Sequence, residues 1–164
     1  MSGAWIALGA NLGDPQAQLR GAAHALAALP ATRLQAASRL WRTPAWGPVP
    51  QPDYLNAVVV LETALEPEPL LDALLTIERA HGRTRGPDRY GPRTLDLDLL
   101  LHGTLQLTTP RLVLPHPRLA ERAFVLLPLA ELAPDLEIPG HGRRVRELLL
   151  RVNTGGCTAL GPLL

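Results

Sequence analysis

Apolar and polar positions change period several times along the chain. Trp5–Ala10 is a short apolar run ending in small residues and reads as a strand. Asn11-Leu12-Gly13-Asp14-Pro15 turns it into a helix, with Asp14 suited to the N-cap and Pro15 to the first helical position. Leu19, Ala22, Ala23, Leu26 and Leu29 then recur at helical spacing until Pro30. Residues 33–42 alternate more weakly, through Leu34, Ala36, Ser38 and Leu40, and predict a second strand. Tyr54 to Leu61 predicts the central strand, with Leu55, Ala57, Val59 and Leu61 on one face. Tyr54, Asn56, Val58 and Val60 take the other. Pro67 opens a second helix whose apolar side is Leu70, Leu71, Leu74, Leu75 and Ile77, closed by Gly82.

From Leu95 the period returns to two. Leu95, Leu97, Leu99 and Leu101 point one way; Asp96, Asp98, Leu100 and His102 point the other. A turn at His102-Gly103-Thr104 leads to a short strand at 105–107 and an extended segment from Arg111 to Pro117. A helix near Arg118–Leu127, a separate helical stretch at Leu129–Ala133 and an amphipathic segment at Val145–Leu150 follow. The glycine-rich tail from Thr154 is expected to fray. Strand, helix, strand, strand, helix, strand is the α+β, ferredoxin-like split βαβ order (βαββαβ), with additional C-terminal strands and helices. At 164 residues the chain is expected to form a single domain over 1–164.

Two linking stretches stand out. Thr43–Pro52 carries four prolines and is long for a connection, a composition met in lids and binding loops; Trp46 sits in it either as a contact or as a pin to the body. Residues 83–93 hold Arg83, Arg85, Arg89 and Arg93 among glycines and prolines, with Tyr90 as the sole apolar anchor. That run is either a solvated charged loop or a cationic cover for a polyphosphate.

Composition narrows the chemistry. Net charge is +1, which gives no case for nucleic-acid binding. All 16 basic side chains are arginine, so no phosphate-binding lysine exists. One cysteine, Cys157, excludes an internal disulfide or a cysteine-built metal cluster. No apolar run reaches a membrane span, and the N-terminus lacks a signal-like segment, so a cytoplasmic protein is expected.

Against this background the pair Asp96 and Asp98 is unusual. Alternate positions on a strand set the two carboxylates about 7 Å apart at Cα and on one face. They repel unless a cation or arginine neutralises them, and an all-oxygen donor pair favours Mg²⁺ over zinc. The competing reading is a solvated face with an Arg–Asp pair. Other polar positions are also open to two readings. Gly9 either makes room for a turn or lets a flat ligand approach; Asn56 either ties a loop or reads a ligand's edge. Glu78 falls on a buried helical stripe, where pairing with arginine is the default expectation. Prolines on both sides of His116 give it a fixed backbone.

Laid out in order, Gly9-x-Asn11-Leu12, Arg42-Thr43-Pro44, Gln51-Pro52-Asp53-Tyr54-Leu55-Asn56-Ala57, Gly91-Pro92-Arg93-x-x-Asp96-Leu97-Asp98, Pro115-His116 and Arg122-x-Phe124 resemble the 6-hydroxymethyl-7,8-dihydropterin pyrophosphokinase family from residue 4 to about 140. The resemblance implies transfer of pyrophosphate from ATP to 6-hydroxymethyl-7,8-dihydropterin, with release of AMP. It implies that Asp96 and Asp98 hold two Mg²⁺ ions and that Arg83 and Arg93 are catalytic. It places ATP on Glu78, Arg85, Arg89, Arg93, Leu99, Arg111, His116 and Arg122, and the pterin on Gly9, Thr43, Pro44, Trp46, Tyr54, Asn56 and Phe124. A monomer working on these two small molecules, without nucleic acid or membrane, is expected. A Mg²⁺-dependent phosphodiesterase would need further metal ligands. An RNA-binding module would need more aromatic residues on the central strands than Tyr54.

Overall fold

The computed structural model describes residues 1–45, 47–82 and 94–164. In chain order the elements are β1 (Ser2–Ala10), α1 (Pro15–Ala27), β2 (Thr32–Ala37), β3 (Arg39–Thr43), β4 (Tyr54–Thr63), α2 (Pro67–Ala80) and β5 (Asp96–His102). There follow β6 (Leu107–Thr108), β7 (Val113–Leu114), a 3₁₀ turn (Leu119–Glu121), α3 (Ala123–Leu132), β8 (Glu137–Ile138), β9 (Arg143–Arg144), α4 (Val145–Leu149) and β10 (Thr158–Pro162). Among the described residues one antiparallel sheet has the order β10-β3-β4-β1-β5, with β2 also pairing β4. β6–β7 and β8–β9 form two small antiparallel pairs.

Helices cover both faces of this sheet. Leu19, Ala22, Ala23 and Leu26 of α1 and Leu70, Leu74 and Ile77 of α2 bury against Ile6, Leu8, Ala57, Val59, Leu97 and Leu99. On the opposite face, Val125, Leu126 and Leu129 of α3 and Val145 and Leu148 of α4 pack on Ala7, Val58, Leu100 and Leu101. Burial of these side chains supplies most of the driving force, at about 25 cal/mol per Å² of apolar surface removed from water. The α1 start follows the sequence: Asp14 Oδ1 accepts the N–H of Ala17 at 3.1 Å, with Pro15 just inside the helix.

Four expectations change. The strand over 33–42 is two strands, broken at Ser38, whose buried hydroxyl accepts the Val58 N–H at 2.9 Å and donates to the Arg39 carbonyl at 2.8 Å. In β5 the register slips opposite Trp5 and Ile6, which pair with Leu101 and Leu99. This bulge sends Leu101 to the α3 side together with Leu100, and His102 to the α2 side, where its Nε2 lies 2.8 Å from the Leu65 carbonyl. The helix begins at Ala123 and continues through Pro128 to Leu132, because Leu126 and Leu129, both fully buried, hold it together across the proline. Finally, the tail is not frayed: Thr158–Pro162 extends the sheet beside β3, and Leu163 is fully buried in the core.

Candidate active site

One end of the sheet gathers the chemistry. Gly9 pairs with Asn56 on one side and with Asp96 on the other, while Thr43 pairs with Tyr54. Three adjacent strands thus present Asn56, Gly9 and Asp96 side by side, with Thr43 of β3 two positions beyond Trp41, the residue opposite Asn56. Gly9 lies inside β1, not in a turn, and a Cβ there would stand 2.8 Å from Asn56 Oδ1. Its missing side chain makes room for the Asn56 carboxamide. Asn56 is buried and donates from Nδ2 to Thr43 Oγ1 at 2.6 Å, which fixes the entry to the proline-rich loop. The tie is therefore real, and the carboxamide oxygen faces the Gly9 side of the site.

Asp96 and Asp98 lie on the β5 face opposite Leu97 and Leu99, and each is half-exposed. Arg122, just ahead of α3, brings Nη1 to 3.6 Å from Asp98 Oδ2, and its guanidinium lies 5.4 Å from the centre of the Phe124 ring. Its Nε is buried and meets no acceptor among the described residues. Tyr54 shares a strand face with Val58, the side that α3 covers, so both aromatic rings belong to the same layer as the aspartates.

Beyond the aspartates opens a cleft of about 250 Å³ bounded by Leu71, Asp98, Leu99, Thr109, Arg111 and His116, among others. His116 is anchored by its backbone N–H to the Leu100 carbonyl at 2.9 Å, and its Nδ1 accepts the Arg118 N–H at 3.1 Å. Burial, then Arg122 and Arg118, push its pKa down to about 4, so the ring is neutral and carries its proton on Nε2. Arg111 reaches Asp72 Oδ1 at 2.5 Å, and this exposed pairing holds its pKa up. Glu78 is 3% exposed and its Oε2 accepts the Leu97 N–H at 2.7 Å, which secures the backbone between the two aspartates.

Asp98, Leu99, Arg111 and His116 therefore meet at one cleft, with Arg122 in contact with Asp98. Arg83, Arg85, Arg89, Arg93 and Trp46 lie outside the described residues. Two features went unread in the sequence. Leu71 and Thr109 line the cleft, and nothing distinguishes them from an ordinary core leucine and turn threonine. The buried Asn11 donates from Nδ2 to Gln51 Oε1 at 2.8 Å and to the Pro52 carbonyl at 3.0 Å, joining the β1–α1 loop to the proline-rich loop. Its signal was a carboxamide in a loop that the helix start at Asp14 does not require.

The family model for 7,8-dihydro-6-hydroxymethylpterin-pyrophosphokinase (HPPK) matches residues 5–134. The chain belongs to the HPPK family. Two curated HPPK-family relatives are each named 2-amino-4-hydroxy-6-hydroxymethyldihydropteridine pyrophosphokinase. That of Methylorubrum extorquens is 48% identical over 156 residues, covering 95% of this chain and 97% of its own. That of Pseudomonas aeruginosa is 51% identical over 145 residues, covering 88% of each. Among solved structures, the wild-type HPPK-DHPS protein of Plasmodium falciparum crystallised with pteroate superposes with a TM-score of 0.73 at 14% identity. The match takes in 92% of this chain and 42% of that longer one, and establishes the fold alone. HPPK-family membership and the strand end described above thus come from independent observations.

Proposed function

We propose that this chain transfers a pyrophosphoryl group from ATP to the hydroxymethyl oxygen of 6-hydroxymethyl-7,8-dihydropterin and releases AMP, a step of folate biosynthesis. The observation that carries the reading is that the family match over 5–134 includes a cleft lined by Asp98, with Arg122 in contact with Asp98 and stacked on the Phe124 ring. In the reaction the pterin oxygen bonds to the β-phosphorus as the bond from that phosphorus to the AMP oxygen breaks. The hydroxyl proton passes to solvent.

The residues fit Mg²⁺. Asp96 and Asp98 are hard oxygen donors on one face, and among the described residues no third acidic, histidine or cysteine side chain completes a metal cluster with them. Phosphate oxygens and water would fill the remaining positions, the pattern Mg²⁺ favours. Asp96 and Asp98 would hold two such ions, which would supply charge neutralisation of the triphosphate and acidification of the pterin hydroxyl.

The protein's own groups do the rest. Leu71 and Leu99 offer apolar walls for the nucleotide, and neutral His116 offers its Nε2–H as a donor. Arg111 can leave its exposed Asp72 partner for phosphate at small cost. Arg122, whose guanidinium stands beside Asp98, would take a phosphate oxygen. We assign Arg83 and Arg93 to charge stabilisation on the transferred group, and Arg85 and Arg89 to positioning ATP, because the run 83–93 leads directly into β5. Tyr54 and Phe124 would sandwich the pterin, with Asn56 and the Thr43–Trp46 backbone, Pro44 included, along its polar edge.

We further read the core as the ferredoxin-like split βαβ plan, which the order β3-β4-β1-β5 with α1 and α2 on one face supports. Because helices of the same chain cover both sheet faces, a monomer is the matching assembly. The deciding assay follows AMP with ATP, Mg²⁺ and the reduced pterin all present, then with each omitted in turn. AMP formed only from the complete mixture is the expected result. AMP formed without pterin would point to hydrolysis and overturn the reading.

A further inference from the structure

The C-terminal segment has no place in the mechanism, yet it is held at both ends. At one end Leu163 is fully buried in the core, and Arg20 of α1 donates from Nε to the Leu163 carbonyl at 2.9 Å and from Nη2 to the Pro162 carbonyl at 3.3 Å. At the other end the turn at 153–157 is closed by Gly155 N–H to Asn153 Oδ1 at 2.8 Å and by Cys157 N–H to the Thr154 carbonyl at 3.2 Å. Between these anchors, Thr158 pairs with Arg42 and Ala159 with Trp41. These are the last β3 residues before Thr43 and Pro44.

Gly156 makes the connection to the site. Its φ is +80°, a conformation that side chains rarely adopt, and a Cβ added to it would stand 2.8 Å from Pro44 Cγ and 3.6 Å from Cδ. Pro44 opens the proline-rich loop, and its neighbour Thr43 is fixed from the other side by Asn56. The loop entry is thus gripped between a buried carboxamide on β4 and a bare backbone turn that follows from the chain's end.

We propose that Gly156 and β10 form a positioning element for the pterin subsite, setting the place of Pro44 and through it the polar edge against which the pterin is read. The proposal rests on the pterin reading above. A role limited to stability would lower the affinity for both substrates together. A positioning role acts on the pterin alone, because the nucleotide cleft is lined by β5, α2 and the 109–117 segment.

The test compares Gly156→Ala with Gly161→Ala, a control in the same segment whose added Cβ meets nothing within 4 Å. Binding is measured by calorimetry, with 6-hydroxymethylpterin titrated in the presence of a non-hydrolysable ATP analogue and Mg²⁺, and with the analogue titrated alone. Gly156→Ala is expected to raise the pterin Kd about fivefold or more while changing the analogue Kd less than about twofold, and Gly161→Ala to change neither. Gly156→Asn tolerates positive φ yet carries the same Cβ, so it should reproduce the pterin effect with a smaller loss of melting temperature. In a Pro44→Ala background the effect of Gly156→Ala should shrink, because the ring it strikes is gone. Equal loss of pterin and analogue binding, or no change in either, would overturn the proposal. A second readout needs no ligand: amide exchange over 43–51 should quicken in Gly156→Ala and not in Gly161→Ala. If exchange responds but the unaltered protein binds no pterin, the pterin reading fails and the grip on the loop stands. If the unaltered protein binds pterin and exchange is unmoved, the grip fails.

Discussion

The carboxylate of Glu78 accepts the backbone N–H of Leu97 at 2.7 Å, and Leu97 is the residue between Asp96 and Asp98. Among the described residues β5 is the edge strand of the sheet, so this N–H points away from β1 and no described strand receives it. A helix carboxylate takes that place and fixes the stretch of backbone on which both aspartates depend. Glu78→Ala should leave a buried amide without an acceptor and cost about 1–3 kcal/mol of stability. Glu78→Gln retains an acceptor and should cost less. Denaturant titration of both variants, with AMP formation followed in parallel, checks the ordering.

Asp96→Ala and Asp98→Ala should each abolish pterin-dependent AMP formation and leave the fold intact. Both carboxylates are half-exposed and stand on the same strand face, so removing either relieves like-charge repulsion while losing a metal donor. Melting temperature near that of the unaltered protein, with activity at background even at high Mg²⁺, is the expected pair of results. Near-normal turnover in either variant would remove that residue from the metal site.

Phe124 is half-buried on the first turn of α3, with the Arg122 guanidinium on its ring. Phe124→Ala should weaken pterin binding by about 1–3 kcal/mol through lost stacking and apolar contact. Nucleotide affinity should change much less, a split that two calorimetric titrations would resolve. Equal losses would indicate that the ring serves mainly to hold α3 in place.

His116 makes stability depend on pH in a stated direction. Its pKa in the folded protein is pushed down to about 4, against an ordinary value of 6.5. Above pH 6.5 the ring is neutral folded or unfolded and contributes no slope. Between about 6.5 and 4 only the unfolded chain takes up the proton, so stability falls as pH falls through that window. The total effect should be on the order of 1–2 kcal/mol, since solvent screens a partly exposed ring. Comparing urea midpoints at pH 7 and pH 5 for the unaltered protein and His116→Gln should show a smaller drop in the variant.

The parts of the fold legible in the sequence are those governed by strict periodicity. β1, β4, α1 and α2 follow from it because each buries one well-defined face. Where a single residue reverses the local rule, periodicity misleads. Ser38 ends one strand by bonding to β4, and the bulge opposite Trp5 and Ile6 carries Leu101 to the other face. Pro128 reads as a helix stop, but tertiary burial of Leu126 and Leu129 outweighs it. β10 was hidden because Thr-Ala-Leu-Gly-Pro has little strand character of its own and is selected by the open edge of β3. Asp96, Asp98, Asn56 and His116 are each conspicuous in the sequence where they stand, whereas Arg122 stands out only through the family resemblance. What could not be read was the nature of particular contacts: Glu78 accepts the Leu97 amide, and the bare backbone of Gly9 makes room for Asn56.

The bond from Asn11 to Gln51 and Pro52 has a thermodynamic consequence for recognition. Two loops 40 residues apart in sequence are clasped through a buried carboxamide. Their relative freedom is surrendered when the chain folds, so little of it remains to be lost when a substrate arrives. A flat, rigid molecule offers few contacts with which to offset the ordering of two independent loops. Joining them beforehand lets the few contacts it does make appear as affinity.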